Sequence, residues 1–198
     1  WDTYRALHPL FTIIQQERTA DMINSMLAHY DQSVHHMLPV WSHHANENWC
    51  MIGYHSVPVL ADAIVKKIGG FDHARAAAAC VTTARNSWYD GLDDYMKLGY
   101  VPDERTGSSV SVTLEYAYDD WCIAQIAGSE DLRREFAERS QNYMNVWDHA
   151  TGFMRPRKRD GSFRKDFDVL STHGQGFIEG NAWNYSLYVP HDPAELIR

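Results

Sequence analysis

Apolar residues recur at steps of three and four along most of this chain. Met22, Ile23, Met26, Leu27 and Tyr30 form one such stripe, and with Thr19 as its cap the pattern predicts an amphipathic helix. A second helical stretch is predicted over 51–68, kinked at Pro58 because a proline ring clashes with the preceding turn, and stopped by Gly69-Gly70. Asp72 is placed to cap a third helix through the alanine-rich run 74–84, expected to continue to Tyr89-Asp90-Gly91. After a loop with Pro102 and Gly107, a helix over 108–127 carries Val110, Leu114, Ala117, Trp121 and Ala124 as one stripe. Ser129 caps the next helix, where Glu130 and Asp131 suit the positive end of the dipole and Leu132, Phe136, Tyr143 and Trp147 line one side. From 148 to 180 the pattern changes to turns, with Thr151-Gly152 and Asp160-Gly161 punctuating a basic stretch, which predicts loops or a short hairpin there. Helices joined by short or moderate loops, with no sustained strand alternation, make the fold class all-α, an array of antiparallel helical hairpins.

Composition narrows the function more than the fold. The 198 residues suffice for a single domain with a real core, and 44% apolar with 22% charged residues is ordinary globular usage. A formal net charge of -8, with no stripe of Lys and Arg, argues against nucleic acid and anionic membranes as partners. No apolar run approaches the roughly 18 residues that a membrane helix needs. Cys50, Cys80 and Cys122 are odd in number and lack Cys-x-x-Cys spacing, so neither a disulfide framework nor a zinc knuckle is signalled. The aromatic content of 13%, with seven Trp, changes the picture, because flat apolar rings are surfaces on which sugar faces stack.

Polar and aromatic residues concentrate in the 41–49, 113–121 and 179–183 segments. On a helix, Glu115 and Asp119 share a face, away from Leu114, Ala117 and Trp121. Two neighbouring carboxylates resist double ionisation, and a carboxyl kept protonated near neutrality is what a general acid needs. An acidic pair on a helix is more often a solvated face, so the pattern alone leaves both alternatives open. Zinc is not indicated: His35-His36 and His43-His44 lack same-face spacing, and no His-Glu-x-x-His occurs. Nucleophile elbows and phosphate loops are absent too.

Several segments, taken in order, are similar to the signature blocks of the family 92 exo-α-mannosidases: Trp1-Asp2-Thr3-Tyr4-Arg5, Leu38-Pro39-Val40-Trp41-Ser42, Met51-Ile52-Gly53-Tyr54-His55, Thr113-Leu114-Glu115-Tyr116-Ala117-Tyr118-Asp119-Asp120-Trp121, Glu179-Gly180-Asn181-Ala182-Trp183 and Val189-Pro190-His191-Asp192. The resemblance implies part of an (α/α)6 barrel, preceded in the family by a β-sandwich, and inverting, calcium-assisted hydrolysis of terminal α-linked mannose. It places the catalytic acid on Glu115. Glu179 and Asn181 become candidates for the Ca2+ ion or for sugar hydroxyls, and Asp2, Trp41, Asn46, Glu47, Tyr54, His55, Trp183 and His191 are candidates for the sugar pocket. The family's Gly-Asn-Asp-Asp block, which supplies the general base, lies downstream of anything present here. The chain is therefore expected to be a partial catalytic domain, partnered by the rest of its own polypeptide and by a mannose-containing glycan, and inactive in isolation. A secreted or periplasmic location rests on the resemblance alone. Two competing readings are a non-catalytic mannan-binding or scaffolding fragment, and an isomerase or epimerase with His55 and His191 facing each other.

Overall fold

Helix follows the apolar periodicity wherever a cap or a glycine stop supports it. The structure, a computed structural model, describes residues 1–44 and 46–198. In chain order the helices are α1 (Leu7–Ile14), α2 (Gln16–Gln32), α3 (Ser56–Val65), α4 (His73–Thr83), α5 (Leu92–Leu98), α6 (Ser109–Ile126), α7 (Glu130–Arg139), α8 (Ala182–Tyr185) and α9 (Pro193–Leu196). Two-residue strands form two antiparallel hairpins, β1 (Ser42–His43) with β2 (Asn46–Glu47) and β3 (Trp147–Asp148) with β4 (Phe153–Met154). The second lies where the sequence predicts a short hairpin. Helix thus dominates, as the all-α expectation requires.

Several boundaries differ from those predicted, each for a local reason. Thr19 is not a cap but lies buried inside α2, its hydroxyl donating to the Gln15 carbonyl, and the helix starts earlier. Residues 51–55 are not helical: Met51 and Gly53 adopt positive φ, and α3 begins only at Ser56. Pro58 is then its third residue, within the first turn, where backbone N–H groups have no intrahelical acceptor to lose, so no kink is required. The Asp72 cap is as predicted, with its carboxylate accepting from Arg75 N at 3.0 Å. That helix stops at Thr83 rather than near Gly91. Gly91 (φ 73°) and Gly99 (φ 78°) instead bracket α5, a helix the sequence pattern did not reveal.

The described residues divide into two compact units. The first comprises Trp1–Asn86 with Asp119–Ala137, and the second Ser87–Tyr118 with Glu138–Arg198. In the first, Ile23 and Leu27 of α2, Leu60 and Ala63 of α3, Ala76, Ala79 and Cys80 of α4 and Ile123 of α6 are buried. The alanines of α4 let neighbouring helices approach closely. In the second, Val110, Leu114 and Ala117 of α6 pack with Tyr100, Tyr143, Val146, Met154, Phe177, Ala182 and Val189. Almost the whole circumference of α6 is buried, polar residues included, which marks it as an interior helix rather than an amphipathic surface one. Trp121, assigned to the apolar stripe, is an exception at 36% exposed.

Candidate active site

Buried carboxylates on α6 are the centre of the candidate site. Glu115 is 3% exposed, and Asp119 and Asp120 are fully buried, so the solvated-face alternative for this acidic run does not hold. Burying charge is costly unless each group is paired or hydrogen-bonded. Within the first unit that requirement explains the 51–55 segment. Asp119 accepts from the Tyr54 backbone N–H at 2.8 Å and from His55 Nδ1 at 2.7 Å, while Asp120 accepts from the Tyr54 hydroxyl at 2.7 Å. Gly53 permits this approach, because a Cβ there would lie 2.6 Å from His55 Nε2. The His55 ring stacks on Tyr4 at 4.1 Å and lies 5.6 Å from Trp1, whose indole N–H donates to the Ile52 carbonyl. Tyr54 and His55 thus act as a clamp on two carboxylates. Neither the Asp120 bond nor the aromatic stack could be read from the sequence, since the partners lie more than fifty residues apart in the chain.

Glu47 has a comparable structural role in the 41–49 loop. Its carboxylate accepts from the backbone N–H groups of Val40 (2.6 Å), Trp41 (2.9 Å), Asn48 (3.0 Å) and Trp49 (3.1 Å). Those bonds occupy the lone pairs a sugar hydroxyl would use. Trp41 is 40% exposed, Asn46 is exposed with its amide donating to the His44 carbonyl, and Asp2 is exposed in a 3-10 turn over Asp2–Tyr4.

In the second unit, Glu115 shares its surroundings with the 176–185 segment. The Gly176 carbonyl accepts from Val110 N and Ser111 N, and Ile178 N donates to the Ser111 hydroxyl, which seats this segment on α6. The Tyr185 hydroxyl donates to the Ile178 carbonyl at 2.9 Å. Burial, reinforced by the negative charges of Glu115 and Glu179, pushes the Tyr185 phenol up to about 12. Both carboxylates thus lie within electrostatic reach of the Tyr185 hydroxyl. Glu179 is exposed and holds a positive φ of 50° without being glycine, a strained conformation of the kind found at functional sites.

The pair Glu179 and Asn181 does not by itself fit calcium. Asn181 caps α8, its side-chain oxygen accepting from Trp183 N and Asn184 N in a capping box. Calcium needs six to eight oxygen ligands. Among the described residues no group of three or more His, Cys, Asp or Glu side chains is arranged to hold a metal ion. Trp183, 59% exposed, meets Phe153 edge-on at 4.9 Å and offers a free face.

His191 is tied into the second unit through its ring. Its Nε2–H donates to the Ser140 carbonyl at 2.9 Å, and burial lowers its pKa against the opposing influence of that bond and of Asp192. Because the folded ring holds its proton less tightly than an unfolded one, the unfolded chain takes up protons first as pH falls below about 6.5. Stability tied to His191 is therefore full above that value and is lost as pH drops from there through the folded pKa. In the complete protein, the thermal midpoint of the wild type is expected to fall between pH 6.5 and 5, and His191→Gln to flatten that fall. A parallel pH profile for the two proteins would contradict this role.

Comparison with known proteins places these features. The profile of the glycosyl hydrolase family 92 catalytic domain matches residues 1–198. A family GH92 α-mannosidase of Bacteroides thetaiotaomicron superposes with a TM-score of 0.94 at 50% identity, over 100% of this chain and 28% of that one. A structure of that enzyme in complex with mannoimidazole also gives 0.94, at 49% identity and the same coverage. An inverting family GH92 mannosidase of the same organism gives 0.92 at 35% identity, over 99% of this chain and 27% of that one. An uncharacterized secreted glycosidase of Arthroderma benhamiae is 28% identical over 178 residues, covering 70% of this chain and 23% of its own length. The chain thus spans under a third of the length of these relatives. With the whole of it matched at this level, the chain belongs to glycosyl hydrolase family 92 and forms part of its catalytic domain.

Proposed function

We propose that the protein carrying this chain is an exo-acting α-mannosidase that removes terminal α-linked mannose with inversion, and that Glu115 is its general acid. The observation that carries the proposal is the burial of Glu115 on α6, in a segment superposing at 49% identity on an α-mannosidase with bound mannoimidazole. In this mechanism the Glu115 carboxyl gives its proton to the glycosidic oxygen as the bond from that oxygen to the sugar C1 breaks. A water molecule attacks C1 from the opposite face and passes its proton to a carboxylate base. The products are β-mannose and the free alcohol.

Inverting enzymes hold the two carboxyls about 6.5–9.5 Å apart so that the water fits between them. Asp119 is a poor choice of base, since both its oxygens are committed to Tyr54 and His55. Asp148, held by Arg155, Thr151 and Ala150 N, and Asp192, which caps α9, are similarly engaged. These commitments support a base outside residues 1–198, and a chain of 1–198 alone without turnover. Asp2, Trp41, Asn46 and Trp183, each with an exposed side chain, are the sugar-contacting candidates that fit best. Calcium enters the proposal as an ion that takes Glu179 as one oxygen ligand and the rest from elsewhere in the protein, with no catalytic step assigned to it.

The test uses the complete enzyme and proton NMR of the first-formed sugar from an aryl α-mannoside. β-Mannose is expected before mutarotation, with activity lost on chelation by EDTA and restored by calcium rather than zinc. α-Mannose as the first product would overturn inversion, and indifference to EDTA would remove the ion.

A further inference from the structure

In the first unit, the C-terminal half of α2 and residues of the 33–42 and 46–49 segments line a groove of about 550 Å³. That volume lies within the range of small-molecule sites. We infer that this groove is a saccharide-binding subsite, taking a neutral, hydroxyl-rich ring of the glycan at a position other than the scissile sugar. This rests on the glycan-hydrolysing function proposed above and specifies where more of the glycan is held.

Three features of the groove carry the inference. First, it has a flat aromatic wall: Trp49 is 37% exposed, and His35 meets it nearly edge-on at 5.3 Å, which fixes the ring's orientation. Second, its polar lining is rich in neutral donors and acceptors, among them His29, Gln32, Ser42 and Asn46, and contains no Lys or Arg. Its one carboxylate, Glu47, is spent on backbone N–H groups, so the groove offers hydrogen bonds without an unneutralised charge. An aromatic face beside neutral donors suits a sugar, which has apolar C–H faces and a rim of hydroxyls, and suits a charged ligand poorly. Third, the aromatic wall is held in place before any ligand arrives, because Glu47 accepts from the backbone N–H groups of Trp41 and Trp49, and a preorganised ring binds at lower entropic cost.

The experiment uses the complete enzyme carrying Glu115→Gln, so that binding is read without turnover. Affinities for an α-mannotriose and for methyl α-mannoside are measured by calorimetry in that background and after adding Trp49→Ala or Gln32→Ala. Gln32 is an exposed residue at the end of α2, so its replacement leaves the fold intact even should Trp49→Ala fail to fold. Binding of the triose is expected to weaken about tenfold with Trp49→Ala and several-fold with Gln32→Ala, while methyl α-mannoside binds as before. Unchanged triose affinity in the folded variants, or equal weakening for both ligands, would overturn the subsite. Failure of the functional reading is separate, and would show as a wild-type enzyme that does not hydrolyse α-mannosides at all.

Discussion

Asp119→Ala is expected to destabilise the complete protein by several kcal/mol, because two buried donors lose their acceptor at about 1–3 kcal/mol each. The cause is what remains behind. Asp119 is fully buried and receives both the Tyr54 backbone N–H and the His55 ring N–H. Without it, two donors more than fifty residues upstream lose their acceptor in a place with little water, and each unsatisfied group costs about 1–3 kcal/mol. Asp119→Asn keeps the shape and one acceptor oxygen but turns an amide N–H₂ toward the other donor, so an intermediate loss is expected. The measurement is the unfolding midpoint of the three proteins, in which the order wild type, Asn, Ala should appear. An Ala variant within a degree of wild type would show that the clamp contributes nothing.

Local signals in the sequence were legible where a residue and its partner are close in the chain. The Asp72 cap, the alanine-rich α4, the course of α6 and the hairpin near 150 all rest on contacts within a few residues, and the structure has them. Long-range partners were not legible. The shared face of Glu115 and Asp119 could be read from their spacing, but their burial could not, because what neutralises the cost lies at Tyr54 and His55. The same holds for several pocket candidates: that Glu47, Tyr54, His55 and His191 also bond the polypeptide could not be read from the sequence. Asn181 is a different case. A helix cap followed three residues later by Asn184 is a local pattern, and it was hidden by the chemical interest of the Glu179-Gly180-Asn181-Ala182-Trp183 block. Helix α5 was missed because the alanine run before it was carried through to Gly91, whose left-handed conformation in fact begins a new helix.

Evolutionary kinship and geometry support the α-mannosidase proposal at different points. Family membership covers the whole chain, while the relatives are more than three times its length. What this chain contributes to that proposal is an interior helix with the buried Glu115, the Tyr54–His55 clamp on Asp119 and Asp120, and exposed aromatic rings at Trp41, Trp49 and Trp183.

The measurement that tests the central claim most directly is the leaving-group dependence of hydrolysis by the complete enzyme carrying Glu115→Gln. A general acid matters in proportion to how badly the departing oxygen needs a proton. Glutamine keeps the size of the side chain but has no acidic proton to give. For an α-mannoside with a sugar leaving group, kcat is expected to fall by about 100- to 10,000-fold. For an aryl mannoside whose phenolate leaves readily unprotonated, the loss should be several-fold at most. Equal losses on the two substrates would contradict the assignment of Glu115 as the proton donor.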